Sequence, residues 1–378
     1  MKKIVVLGAG MVGSAMSLDL ANNFEVTSID INRKALQSIE DKNASINIIQ
    51  FDLNDHLGFK DLLSPFDWVV TAVPGFMGFK TIKAVIESGK NLVDISFFNE
   101  DPMLLNQLAK EKNVTAIVDC GVAPGMSNLL LGYYNKRMKI ESFECMVGGL
   151  PKIRVKPFEY KAPFSPIDVI EEYTRPARYI ENGSIIVKPA LTDSEMIHFD
   201  EVGTLESFNT DGLRSLLFTM GHIPNMKEKT LRFPGHIDLI KSLQQMGFFS
   251  TEPVNISGID VKPIELSSKI LIDHWKLKVN EPEFTIMKIK ISGIENGFKK
   301  DIEYSLFDEY DTQTKTSSMA RTTGYTCTAV LNLLASNQFV EKGVFPPEFV
   351  GAEDGCLGFV LSYLKERNVI YNVKENLN

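Results

Sequence analysis

At 378 residues the chain exceeds what one hydrophobic core usually serves, so two domains, or one domain with a large insertion, are expected. Its 44% hydrophobic and 23% charged residues are those of a globular protein and exclude a largely disordered or low-complexity chain. A net charge of −8 excludes the basic surface that nucleic acid or anionic lipid requires, leaving a small molecule as the expected partner.

From the N-terminus, short β-branched runs alternate with amphipathic stretches, the pattern of parallel strands joined by helices. Strands are predicted at 4–7, 25–29, 47–51, 67–73, 91–95 and 114–118, and helices at 11–22, 33–41, 76–88 and 102–112. This reads as an α/β fold with a doubly wound, Rossmann-type parallel sheet, spanning residues 1–125, whose ligands sit at the carboxyl ends of the strands. Pro151, Pro157, Pro163 and Pro166 then mark a change of texture, because proline fits neither helix interior nor central strand. A second, α+β domain with a largely antiparallel sheet is expected over 126–320; 283–291 and 301–310 alternate as strands with one wet face. Helical patterns at 319–335 and 353–365 belong to a last region, 321–378, expected to return to the first domain. Only the tail Lys374–Asn378 reads as disordered.

The opening MKKIVVLGAG has too short an apolar run for a secretion signal, and no segment reaches the roughly 18 apolar residues of a membrane span. Cys120, Cys145, Cys327 and Cys356 form no CxxC pair, which predicts neither a metal site nor a disulfide scaffold and suits a reducing cytoplasm.

Gly8-Ala9-Gly10-Met11-Val12-Gly13 fits GxGxxG between a strand and a helix, the context that makes the pattern a dinucleotide motif. Gly8 permits the turn, Gly10 lets backbone approach the pyrophosphate and Gly13 allows helix–strand packing, while the helix N-terminus offers free amides to phosphate. Asp30, at the end of the second strand, suits the two ribose hydroxyls of NAD and would repel a 2′-phosphate. Arg33 keeps NADP as the lesser alternative. Thr71, Ala72, Val73 and Pro74, closing the fourth strand, are placed against the ribose or nicotinamide side, or else form a plain strand end with a proline stop.

Several further phrases matter together: Asp119–Asn128 (DCGVAPGMSN), Gly148–Pro151, Glu172–Arg178 (EYTRPAR), Gly203–Arg214 (GTLESFNTDGLR) and Lys229–His236 (KTLRFPGH). With the glycine motif they resemble the saccharopine dehydrogenase family, most closely its lysine 6-dehydrogenase branch. The resemblance runs from residue 1 to about 240, with an echo at Arg321–Tyr325. It implies a nicotinamide-dependent oxidoreductase acting at a carbon–nitrogen bond, a cytoplasmic homodimer or homotetramer. In that branch the ε-amine of L-lysine is oxidised by NAD and lost as ammonia, giving 2-aminoadipate 6-semialdehyde, which cyclises. The phrase at 119–125 and Phe97 depart from saccharopine-forming relatives, which carry Asn-Glu-Ile-Gly-Leu-Asp-Pro-Gly and a tyrosine there.

Such chemistry needs a neutral amine, whereas a lysine ammonium titrates near 10.4, so a base is required. Asp94 and Asp119, ending the fifth and sixth strands, are the candidates, although aspartate is equally at home capping a strand end. Cys120 would lie beside the nicotinamide, or serve as a small buried apolar residue. For an α-carboxylate, Arg175, Arg178, Arg214 and Arg232, all within the matching phrases, are available as guanidinium forks; Arg214, after the turn at Thr210-Asp211-Gly212, is favoured, with Arg175 and Thr210 as further candidate substrate contacts. His236, in a Pro-Gly-His loop, is a candidate substrate contact and proton shuttle, and His222 sits in a similar loop. Tyr160, Phe164 and Tyr173 either line the stem of lysine or fill a core. Two other readings remain: reductive condensation of an amine with an aldehyde, as in saccharopine or carboxynorspermidine dehydrogenases, and a non-catalytic dinucleotide sensor. Pairing of 283–291 across a symmetric dimer is a further expectation.

Overall fold

The computed structural model describes residues 1–164, 166–278 and 280–377. The chain forms two compact units, Met1–Lys139 with Met319–Tyr371, and Ile140–Ser318 with the stretch from Asn372. The division falls at 139/140 rather than 125/126 because the helix Met126–Asn135, with eight buried residues, belongs to the first unit's core.

Six strands of the first unit, β1 (Lys3–Leu7), β2 (Glu25–Asp30), β3 (Asn47–Gln50), β4 (Trp68–Thr71), β5 (Asn91–Asp94) and β6 (Thr115–Ile117), run parallel in the order β6-β5-β4-β1-β2-β3. A seventh parallel strand, Gly343–Phe345, pairs with β6. The β-branched runs of β1 and β4 are buried on both faces, as parallel strands require. Strand order reverses between β1 and β4, which creates the switch point where such sheets bind ligands. The predicted helix at 102–112 is a 3-10 turn, Pro102–Leu105, continued by the short helix Asn106–Glu111.

The C-terminal part of this unit is clamped through one aspartate. Asp19, on the helix Met11–Leu20, is buried and accepts hydrogen bonds from Arg367 Nε at 2.5 Å, Tyr363 Oη at 2.7 Å and Thr328 Oγ1 at 2.5 Å. The Arg367 guanidinium also lies 3.3 Å from the Tyr363 ring centroid. The helices Ser318–Ala335 and Cys356–Glu366 are thereby tied to the helix that follows the glycine motif.

The second unit is built on a mixed sheet. Its strands β7 (Lys139–Pro151), β8 (Ala177–Glu181), β9 (Ser184–Lys188), β10 (Glu195–Phe199), β11 (Gly203–Asn209), β12 (Asn225–Arg232), β15 (Glu283–Glu295) and β16 (Phe298–Glu309) are joined in a small separate hairpin by β13 (Val254–Ile256) and β14 (Ile259–Val261). The main order is β10-β11-β12-β7-β15-β16, continued by the C-terminal strand Tyr371–Leu377, with β8 and β9 branching from β12. The pairs β10–β11, β11–β12, β8–β12, β8–β9 and β15–β16 are antiparallel, whereas β12 runs parallel to β7.

Two expectations need correction here. Glu283–Ile291 is an interior strand flanked by β7 and β16, so its backbone groups are used and it cannot pair across a dimer. The tail is a strand to Leu377, because the edge of β16 gives it a ladder to join; Asn378 lies outside the described residues. Among the described residues no helix is long and apolar enough to cross a membrane.

Removing the Asp19 clamp leaves the partly buried Arg367 guanidinium, and two hydroxyls, without the carboxylate they share. Asp19→Ala is expected to lower the stability of the first unit by about 3 kcal/mol, read as an earlier calorimetric transition, while Asp61→Ala, at an exposed position of the short helix Phe59–Leu63, leaves it nearly unchanged.

Candidate active site

At the switch point, Ala72 N donates to Leu7 O at 2.8 Å, drawing the ends of β1 and β4 together. That contact leaves no room for side chains in the glycine motif. Gly8 has φ +109, and a Cβ there would lie 2.4 Å from Ala72 O; a Cβ on Gly13 would lie 2.0 Å from Gly8 O. At Gly10, by contrast, a Cβ would meet nothing within 4 Å. Two glycines are therefore required by the chain itself, and the third faces open space, as a backbone that must admit a pyrophosphate would.

Gly10 is the N-cap of the helix that starts at Met11 and supplies no side-chain cap, so the first-turn amides, Met11 and Val12 among them, stay available to an anion. Asp30 closes β2 against this turn, its Oδ2 accepting from Ala9 N at 2.7 Å and its Oδ1 from Asn32 N at 2.7 Å. The carboxylate is thus held at the rim by backbone amides. Ala72 and Val73 follow β4, and the exposed Pro74 caps the helix Gly75–Glu87, whose N-terminus also lacks a side-chain cap. These residues fit a dinucleotide: a glycine cradle, a helix N-terminus and a fixed carboxylate at the end of the second strand.

The next strand ends carry two carboxyls, Asp94 and Asp119. Register places Thr71 beside Asp94, and Cys120 N donates to Asp94 O at 2.8 Å, so β4, β5 and the residues after β6 lie in a row. The Asp94 side chain is fully buried. Its Oδ1 accepts from Thr71 Oγ1 at 2.5 Å and Ser96 Oγ at 2.7 Å, and its Oδ2 from Ser96 N at 2.9 Å. Burial pushes its carboxyl up to about 7; the Thr71 and Ser96 hydrogen bonds oppose that rise and the neighbouring Asp119 adds to it.

Asp119 is almost fully buried, with φ +54, at the start of a tight loop closed by Gly121 N to Pro124 O at 3.0 Å and Met126 N to Gly121 O at 2.9 Å. Cys120 is completely buried, and burial beside Asp94 and Asp119 pushes its thiol far above the usual range. It stays protonated and serves as an apolar wall rather than a nucleophile.

The remaining predicted residues lie in the second unit. Arg178 spends its fork on Asp211, with Nε to Oδ1 at 2.7 Å and Nη2 to Oδ2 at 2.8 Å. Arg175 pairs with Glu171 one helical turn away. Thr210 is buried and its hydroxyl accepts from Thr230 Oγ1 at 3.2 Å. Arg214 is buried with a left-handed backbone, φ +52. Arg232 lies within a cage of rings, donating through Nε to Tyr173 Oη at 2.9 Å and through Nη2 to Glu172 at 2.7 Å, with its guanidinium 4.4 Å from the Tyr160 centroid.

His236 belongs to the same cage. Its Nδ1 donates to Phe158 O and its Nε2 accepts from Tyr173 Oη, both at 2.9 Å. Burial, then the Arg232 charge, lowers its pKa to about 3. The expectation of a proton shuttle near neutrality is corrected: with both nitrogens occupied and the cation form excluded, His236 orients Tyr173 and remains neutral. Tyr160 and Tyr173 fill this core beside Trp275. Sequence reasoning missed Ser96, and read Thr71 as part of a strand end near the cofactor rather than as a partner of Asp94; their signal is their position at the ends of adjacent strands.

Two family models cover nearly the whole chain, the saccharopine dehydrogenase NADP binding domain over residues 4–117 and the saccharopine dehydrogenase C-terminal domain over 121–369. The chain belongs to the saccharopine dehydrogenase family.

Within the family, it is 25% identical over 224 residues to alpha-aminoadipic semialdehyde synthase of Arabidopsis thaliana, a match covering 55% of this chain and 21% of that protein. It is also 25% identical over 269 residues to the NADP(+), L-glutamate-forming saccharopine dehydrogenase of Pyricularia oryzae, covering 66% of this chain and 59% of that one. The chain therefore spans only part of the curated relatives it matches. The apo saccharopine dehydrogenase (L-Glu forming) of Saccharomyces cerevisiae shares the fold over the full length of both chains, with TM-score 0.79 and 17% identity.

The glycine geometry separates folding from binding. Gly10→Ala should melt at the wild-type temperature yet weaken dinucleotide binding about tenfold or more by calorimetric titration, because its Cβ meets only the ligand's space. Gly13→Ala, clashing with Gly8 O, should lose thermal stability as well.

Proposed function

We propose that the protein is an NAD-dependent oxidoreductase that deaminates the ε-amine of L-lysine oxidatively, releasing ammonia and 2-aminoadipate 6-semialdehyde. The observation that carries this reading is Asp94, a buried carboxyl with a pKa near 7 at the strand end next to the dinucleotide crevice. An ordinary carboxylate near 3.9 lies about 6.5 units below a lysine ammonium, or roughly 9 kcal/mol of uphill proton transfer. At about 7, Asp94 leaves roughly half of that gap.

Since its carboxyl has no exposed surface, Asp94 exchanges protons through the hydroxyls of Thr71 and Ser96 that it holds. Asp119 adds negative charge that favours a substrate cation. The nicotinamide, when bound, supplies the hydride acceptor. Cys120 keeps the floor apolar.

The carbon skeleton of the proposed product, α-aminoadipic semialdehyde, is the compound that names the synthases this chain resembles. Asp30 supports NAD, since a carboxylate fixed by two amides opposes a 2′-phosphate. The family model's NADP binding and the NADP(+) relative favour a second reading, NADPH-dependent condensation of an amine with an aldehyde.

NADH formation from NAD and L-lysine at mildly alkaline pH tests the first reading, with saccharopine and NADP in parallel; turnover of saccharopine alone overturns it. Asp94→Asn should cut kcat by about 10²–10⁴. In wild type, kcat/KM should fall as pH drops through about 7, where Asp94 takes up its proton. Thr71→Val removes a hydrogen bond that favours the carboxylate, so that acid limb should move to higher pH; Thr71→Ser should restore it.

A further inference from the structure

The loop 119–125 brings Asp119 and Cys120 beside Asp94, in a conformation that an isolated chain resists. Asp119 is left-handed at φ +54, and the loop closes at Gly125 with φ +137. Such a turn persists where its surroundings over-determine it, and here they come from the C-terminal part of the first unit. On one side the helix Ser318–Ala335 packs against the loop, so that a Cβ on Gly121 would lie 3.2 Å from the Thr323 methyl. On the other, Gly125 N donates to Asn128 Oδ1 at 3.2 Å, and Asn128 Nδ2 donates to Glu348 Oε2 at 3.0 Å.

Glu348 lies in the first turn of the helix Pro347–Ala352 and is fully buried. That helix meets Met126–Asn135 backbone to backbone: a Cβ on Gly132 would lie 2.0 Å from Glu348 O, and one on Gly351 2.0 Å from Leu129 O. A crossing this close fixes where the Glu348 side chain starts. Burying a carboxyl is costly, and an apolar side chain of similar size would fill the same place with no desolvation to overcome. What an apolar side chain could not do is orient an amide. A carboxylate oxygen accepts, so Asn128 must turn its NH2 toward Glu348, which leaves its carbonyl for Gly125 N and for Ser127 Oγ at 3.1 Å.

We propose that Glu348 and Asn128 are positioning residues: the buried carboxylate fixes which end of the Asn128 amide faces Gly125, and so holds Asp119 and Cys120 in place beside Asp94. The value of Asp119 to the reaction rests on the deamination reading; the grip on the loop does not.

Two readouts on the full chain test this. Iodoacetamide labelling, located by peptide mass spectrometry, needs no turnover. Cys120, completely buried in the wild type, should react about tenfold faster or more in Glu348→Leu and in Asn128→Ala, the factor that follows from losing one buried hydrogen bond. Cys145 and Cys356 should stay as protected as before. Glu348→Gln, which keeps an acceptor for Asn128, should match the wild type, as should Glu353→Gln at the exposed end of the same helix.

The second readout is the acid limb of kcat/KM. Asp94 shares its surroundings with Asp119 and with the thiols of Cys120 and Cys327, both held protonated by burial. Because Asp119 raises the proton affinity of Asp94, its displacement in the Leu and Ala variants should move the limb below about 7, and Glu348→Gln should leave it in place. Absence of turnover on lysine would sink the deamination reading and leave the labelling to decide. Cys120 as protected in both variants as in the wild type overturns the proposal, and so does an acid limb that stays put in both. Faster labelling of Cys145 and Cys356 together with Cys120 overturns it too, since that is general loss of structure.

Discussion

The hydrogen bond from Ala72 N to Leu7 O, at the point where the parallel sheet reverses its order, sets the geometry on which the rest of the first unit relies. It brings the ends of β1 and β4 so close that Gly8 can carry no side chain, and the resulting turn delivers the uncapped helix N-terminus and Asp30 to one crevice. The same alignment of β4 puts Thr71 against Asp94 on β5, so dinucleotide cradle and buried acid are consequences of one sheet register.

Charge placement follows the same economy. Buried carboxyls here are paired in different ways, with different consequences. Asp19 meets a guanidinium and two hydroxyls, and becomes a clamp. Asp94 meets hydroxyls, an amide and a neighbouring carboxyl, so desolvation wins and its proton affinity rises into the range where it can exchange. In the second unit Arg232 takes Glu172 and the tyrosine cage, and its charge, with burial, keeps His236 neutral. The two carboxyls are distinguished by what faces them.

Fold class and cofactor cradle were legible because their signals are local. The 2-residue and 3.6-residue periodicities write strands and helices into short windows, and GxGxxG with Asp30 occupies one strand–helix–strand unit. Phrases such as Asp119–Asn128 carried the family for the same reason. The site was legible only as a set of candidates: Asp94 and Asp119 look alike as letters at strand ends, and four arginines look alike in their phrases.

By itself, then, the sequence determined the Rossmann unit, the dinucleotide motif, the second domain's antiparallel character and the family. Only the tertiary structure decided which carboxyl is buried beside two hydroxyls, that Arg178 is taken by Asp211 and Arg232 by Glu172, that His236 is neutral, and that Glu283–Ile291 is an interior strand. The reason is physical: burial, desolvation and pairing are set by partners 23 residues away for Asp94 and Thr71, 60 for Arg232 and Glu172, and 348 for Asp19 and Arg367, distances over which no sequence periodicity reaches.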